Sequence, residues 1–219
     1  RCFDLCRYGA IIDTADSEGP TRYTVDPIAC EGCGVCVWNC PEHAIDFPER
    51  LCGEWMISDT RCGPMVHARL HAAAENSGRL VSLVRAQARK LAEESACPTV
   101  LVDGPPGTGC PVIASLTGAA HAVVVTEPTV SGAHDLERVL ALARHFEIPA
   151  TVCVNKWDLN PEMTARIEEA AFHGGAYQGG RIRYDPGVTH AQLEARAVVE
   201  TDAPSAEDIR AVWQRLGFE

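Results

Sequence analysis

The chain has 219 residues, 46% of them apolar and 22% charged, with a formal net charge of −11. That composition excludes a disordered tail, a collagen-like repeat and a helical rod, and suits an α/β domain with a small satellite. The acidic balance argues against extended nucleic-acid contact. The apolar runs are too short to span a membrane and no export signal is visible, so a cytoplasmic protein is expected.

The chain opens on Arg1 rather than Met, and Cys2 and Cys6 follow at once, which we read as a cut edge. Of eleven cysteines, six fall in the first forty residues: Cys2, Cys6, Cys30, Cys33, Cys36 and Cys40. The odd total of eleven and the short spacings of these six favour metal ligation over disulfides. Cys30-x2-Cys33-x2-Cys36-x3-Cys40-Pro41 is the bacterial ferredoxin pattern, in which three thiolates hold one 4Fe-4S cube and the fourth crosses to another. A structural zinc would use four of these thiolates and leave the upstream pair without a role. Cys2-x3-Cys6 repeats the spacing of Cys36-x3-Cys40, and residues 6–11 rhyme with residues 40–45, as in an internal repeat whose first copy is cut short. Cross-ligation would then complete one cube with Cys30, Cys33, Cys36 and Cys6, leaving only Cys2 and Cys40 for the second. Short strands are expected at residues 24–26 and 44–46.

Next come a strand pair at residues 54–58 and 64–70 and an amphipathic helix over 80–94, with Leu80, Leu83, Val84, Ala88 and Leu91 on one stripe. Residues 99–103, 122–126 and 150–154 are short continuous apolar runs, predicted as buried parallel strands. Helices are predicted over 132–146, from Pro161 to 172, and over 205–216 with Ser205 as cap; residues 181–184 form the last expected strand. The expected fold class is therefore α/β, with a mostly parallel sheet. Its domains are a cysteine-rich module at residues 1–52 and an α/β domain at 53–219. Outside the module, Cys153 is expected to be a small buried hydrophobe, Cys97 half-buried and Cys62 in a turn, while nothing in its spacing recommends Cys52 as a ligand.

In such sheets the chemistry lies at the carboxyl ends of the strands. Asp103, closing an apolar run before a glycine-rich loop, fits a Walker B aspartate holding a Mg2+-bound water, with Gly107 as a γ-phosphate sensor; a tight turn ending in a solvated Asp is the alternative. Residues 126–129 could line a nucleotide pocket, though helix capping is favoured. Asn155-Lys156-Trp157-Asp158 has the form that reads a purine base in many P-loop NTPases, and residues 184–186 would flank the base. No Gly-x4-Gly-Lys-Ser/Thr loop occurs anywhere in the chain, so the phosphates lack their usual cradle.

Together, residues 29–41, Glu54-Trp55, 60–70, 75–78, 103–111, 126–129, 134–138, 155–161 and 184–186 resemble the MinD/ParA/Mrp-type P-loop ATPases that carry an inserted two-cluster ferredoxin domain. The resemblance implies a P-loop NTPase-like sheet, here incomplete, and a member lacking its N-terminal Walker A loop. It implies Asp103 and Gly107 as catalytic residues; Asn155 and Asp158, with Asp103, as nucleotide contacts; and Cys2, Cys6, Cys30, Cys33, Cys36 and Cys40 as metal ligands. Implied cofactors are 4Fe-4S clusters (two in a complete protein, one fully liganded here), ATP and Mg2+, with GTP open from the Asn-Lys-x-Asp form. Implied partners are a second copy in a homodimer, with Cys110 near its face or simply packed, and a redox or metallocofactor-assembly protein. Nucleotide state would be coupled to electron transfer or cofactor handling. The competing readings are an electron-transfer module on a docking scaffold and a non-redox scaffold for metallocofactor assembly. A complete homologue would be an ATPase, whereas this chain alone is expected to hydrolyse ATP poorly.

Overall fold

The computed structural model describes residues 1–219 apart from 15–21, 73, 75–77 and 218–219, and divides into two units, Arg1–Val100 and Leu101–Glu219. The division falls well beyond residue 52, because the hairpin and helix that follow the cysteine-rich segment belong to the first unit. The quoted match at residues 75–77 lies outside the described residues.

In the first unit, helix α1 (Cys2–Leu5) precedes strands β1 (Ile11–Asp13) and β2 (Tyr23–Val25), which pair antiparallel with Ile11 opposite Val25. A short helix α2 (Val35–Trp38) carries the middle of the cysteine run. Strands β3 (Gly53–Thr60) and β4 (Gly63–Leu70) form an antiparallel hairpin in the expected place, with Cys62 in its turn. Helix α3 (Gly78–Glu94) follows, but no residue on it is fully buried, so its apolar stripe is only partly covered. Residues 44–46 form no strand, and Cys97 is exposed rather than half-buried.

The second unit holds the parallel sheet. Helix α4 (Cys110–Leu116) leads to β5 (Ala122–Thr126), α5 (Val130–His145), β6 (Ala150–Asn155), α6 (Pro161–His173), β7 (Tyr177–Ile182), α7 (Gly187–Leu193) and α8 (Pro204–Leu216). The sheet order is β5-β6-β7 with both pairings parallel. Ala150, Thr151, Val152, Cys153 and Val154 are all buried, as a central strand covered on both faces requires. Leu136 and Leu140 of α5 and Ile167 and Ala171 of α6 pack with Val152 and Val154 in one apolar cluster. Asn160 caps α6 by accepting from the Met163 N–H at 3.1 Å, and Pro161 stands in its first turn, as predicted.

Three expectations are corrected from residue 99 onward. Residues 99–103 form no strand, and Val100, Leu101 and Val102 are 41%, 84% and 38% exposed. An isolated extended run gains nothing without a hydrogen-bonded neighbour, and among the described residues none pairs with it. The last strand lies at Tyr177–Ile182, earlier than the expected 181–184. Ser205 does not cap α8, whose N-cap is Ala203; its hydroxyl donates instead to Asp185 at 2.8 Å. Among the described residues the fold is thus α/β with mixed pairing: one three-stranded parallel sheet and two antiparallel strand pairs.

Candidate functional site

The thiol-rich segment is shaped by backbone constraints. Gly34 begins α2 at φ +74°, and a Cβ there would stand 2.9 Å from the Trp38 ring, so only glycine fits. The turn brings Cys6, Cys30, Cys33 and Cys36 to the wall of one cavity of about 140 Å³, with Ile11, Val25 and Ile45 among its apolar lining. Local hydrogen bonds then fix individual sulfurs. The Ala10 N–H donates to the Cys6 sulfur at 3.3 Å, and the Ala44 N–H donates to that of Cys40 at 3.4 Å. The bond from Ala10, joined by the Tyr8 amide, holds the Cys6 thiol below its ordinary pKa, whereas desolvation raises that of Cys36. Cys30 and Cys33 are exposed.

These thiols share a wall without forming a ligand set. Among the described residues, no group of three or more His, Cys, Asp or Glu is placed to hold a metal ion. The expected 4Fe-4S clusters and Mg2+ are corrected accordingly: sequence spacing alone does not bring the donors to a common point. The same finding covers Mg2+, since Asp103 stands exposed with no grouped donors around it.

In the second unit, the loops after the three strands are tied to one another. Lys156, in the left-handed region at φ +54°, joins the loop after β6 to that after β5 through an ion pair from Nζ to Glu127 at 2.7 Å. Asn155 Oδ1 accepts from the Lys156 N–H at 3.0 Å. One carboxylate oxygen of Asp158 accepts from the Tyr184 N–H at 2.7 Å, fastening the residues after β7 to the turn after β6. Asp185 accepts from Gly187 N–H at 2.8 Å and from the Ser205 N–H and hydroxyl at 3.0 and 2.8 Å. The favoured capping role of residues 126–129 is present: Thr129 accepts from the Gly132 N–H at 3.0 Å. Gly107, at φ +88°, lies in the loop before α4, where Thr108 accepts from Arg138 of α5 at 2.7 Å. Cys110 begins α4 and is exposed. Cys153 is buried, and burial pushes its thiol up to about 11, so it is a packed apolar group at neutral pH.

Sequence reasoning missed the cross-ties Asp158–Tyr184, Asp185–Ser205 and Thr108–Arg138, which join residues 26, 20 and 30 positions apart. The Asp-Pro pair after β7 and the Ser after Pro204 were visible, but their pairing is a long-range contact. The hydrogen bonds from Ser205 to Asp185, and that from Arg183 to Asp208, hold both carboxyls below the usual carboxylate range. Because the folded-state pKa is lowered, their stabilisation is present above the unfolded value of about 3.9 and lost as pH falls through the folded value. Thermal melts should therefore lose stability on acidification below about pH 4, less steeply in Asp185→Asn than in the unaltered chain. Equal acid slopes in the two proteins would refute this role for Asp185.

Residues 23–46 match the 4Fe-4S binding domain family, Fer4. Two similar solved structures share the α/β fold. One is the cell division ATPase MinD of Pyrococcus furiosus, with TM-score 0.53 and 17% identity, covering 66% of this chain and 59% of that one. The other is a chain of the MinC:MinD cell division protein complex of Aquifex aeolicus, with TM-score 0.53 and 20% identity, covering 74% of this chain and 67% of that one. The chain therefore joins a segment that matches a 4Fe-4S binding domain to an α/β unit with the fold seen in these two structures. No helix among the described residues is long and apolar enough to cross a membrane. Uncharacterized protein MJ0579 of Methanocaldococcus jannaschii is 22% identical over 157 residues, which is 72% of this chain and 54% of that protein. Uncharacterized protein MJ0578 of the same organism is 30% identical over 217 residues, 99% of this chain and 70% of that protein, and the chain belongs to the same family as MJ0578.

Proposed function

We propose that the protein couples the nucleotide state of a MinD/ParA-like unit to the handling of an electron or a metallocofactor by a partner engaged through its thiol-rich unit. The observation that supports this reading is the presence, in one chain, of a segment matching a 4Fe-4S binding domain and an α/β unit with the MinD fold. The cofactor belongs to the partner in this scheme, and no step depends on a resident metal. Asp103, Gly107, Asn155 and Asp158 are assigned to the nucleotide side. Cys2, Cys6, Cys30, Cys33, Cys36 and Cys40 are assigned to the partner-facing side. The Thr108–Arg138 bond ties the glycine-rich loop to α5 and is the assigned point at which nucleotide state is felt.

Exposed Cys30 and Cys33 provide the readout. Their iodoacetamide labelling in the full chain, followed by mass spectrometry, should change about fivefold or more when ATP is added. Arg138→Ala should abolish that response without changing the labelling rate in the absence of nucleotide. Identical rates with and without ATP in the unaltered chain would overturn the coupling.

A further inference from the structure

Away from the thiol-rich unit, a cavity of about 420 Å³ opens between α6 and α8 and is floored by β6 and β7. Three guanidinium groups, from Arg181, Arg183 and Arg215, and two carboxylates, from Glu168 and Asp208, line it. Two of the guanidiniums are fully committed. Arg181 donates to both oxygens of Glu168, at 2.7 and 2.6 Å, and stacks over the Trp157 ring at 5.2 Å. Arg183 donates to both oxygens of Asp208, each at 2.7 Å. Both acids are thereby neutralised by planar two-point contacts.

Arg215 is different, because it has no hydrogen bond or ion pair among the described residues. Its position is nevertheless built into the sheet. A Cβ at Gly180 would lie 2.6 Å from the Arg215 Nη1, so the missing side chain at that point of β7 is the seat of the guanidinium. The register shift opposite, between Val152 and Cys153, marks the same stretch of strand. An acidic chain thus retains a cavity with one unneutralised cation over an apolar floor that includes Val152 and Val212.

We infer that this cavity binds a small organic phosphate, its oxyanion on Arg215 and its carbon body against the floor. Arginine donors form a planar fork that matches phosphate oxygens, and the cavity lies within the usual range of roughly 300–1,000 Å³ for small-molecule sites. A bare phosphate would leave the apolar floor wet, so an organic phosphate should bind more tightly than the inorganic ion. The site stands on β7, α6 and α8 alone and does not depend on the coupling proposed above.

The test is calorimetric titration of the full chain with phenyl phosphate, inorganic phosphate and phenol. Phenyl phosphate should bind saturably and more tightly than inorganic phosphate, with phenol giving no heat of binding. Arg215→Gln should weaken phenyl phosphate about ten- to hundredfold, and Arg215→Lys should restore part of it. Amide NMR shifts at Gln178 and Gly180 on phenyl phosphate addition give a second measure in the unaltered chain, should the Gln variant not fold. No saturable binding, no shift at those two amides, or equal affinity in a folded Arg215→Gln protein would each overturn the site. Loss of phenyl phosphate binding with a nucleotide response intact would separate this site from the proposed coupling.

Discussion

Replacing Ile167 with alanine should cost about 2–5 kcal/mol of stability, the range for emptying a buried aliphatic site. Ile167 is 1% exposed and packs from α6 into the cluster formed by Leu136, Leu140, Val152 and Val154. Removing its outer carbons takes contacts from both α5 and β6 at once, and a central strand buried on both faces has little room to collapse into the space. Phe172, five residues further along the same helix, is 66% exposed and supplies the contrast: Phe172→Ala should stay within about 0.5 kcal/mol of the unaltered chain. Urea midpoints followed by tryptophan fluorescence would measure both, Trp157 being packed against the same cluster. Equal midpoints for the two variants would remove the α6–β6 interface as the core of this unit.

Gly132→Ala should destabilise by about 1–3 kcal/mol, although helix propensity alone predicts the opposite sign. Gly132 lies in the first turn of α5, where an added Cβ would stand 2.4 Å from the Glu127 carbonyl oxygen and 3.0 Å from each of the Thr126 and Thr129 hydroxyl oxygens. The carbonyl is main chain and cannot rotate away. Relief would have to break the bond from the Gly132 N–H to the Thr129 cap or that from the Thr126 hydroxyl to the Gly132 carbonyl. Gly104 has open space around its Cβ position and no left-handed φ, so Gly104→Ala should be neutral or stabilise by up to about 1 kcal/mol. A stabilising Gly132→Ala would mean that the turn after β5 is looser than its geometry indicates.

The boundary between local and non-local information explains which features could be read in advance. The 122–126 and 150–154 runs, the helix start at Pro161 and the 53–70 hairpin were legible because each depends on neighbours a few residues away. Residues 99–103 have the same β-branched character as the 122–126 run, yet only the latter is a strand. The difference is a hydrogen-bonded neighbour, which no window of sequence contains. Ser205 looked like a cap because a serine near a helix start commonly is one; the Asp185 carboxylate, twenty positions earlier, claims its hydroxyl instead.

The cysteines show the same division most clearly. Their spacing identified the segment that matches a 4Fe-4S binding domain, since that pattern is a property of consecutive residues. Whether sulfurs meet at one point is a property of the folded backbone, and among the described residues no three donors are so grouped. Period, composition and spacing are local, and from them came the central buried strand, the helices of the second unit and the thiol-rich segment. Only the tertiary structure decided the strand pairing, the cross-ties among the loops and the seat of Arg215 over Gly180. Each of those is a contact between distant residues, whose partner is chosen by packing and by the need to satisfy polar groups within the fold.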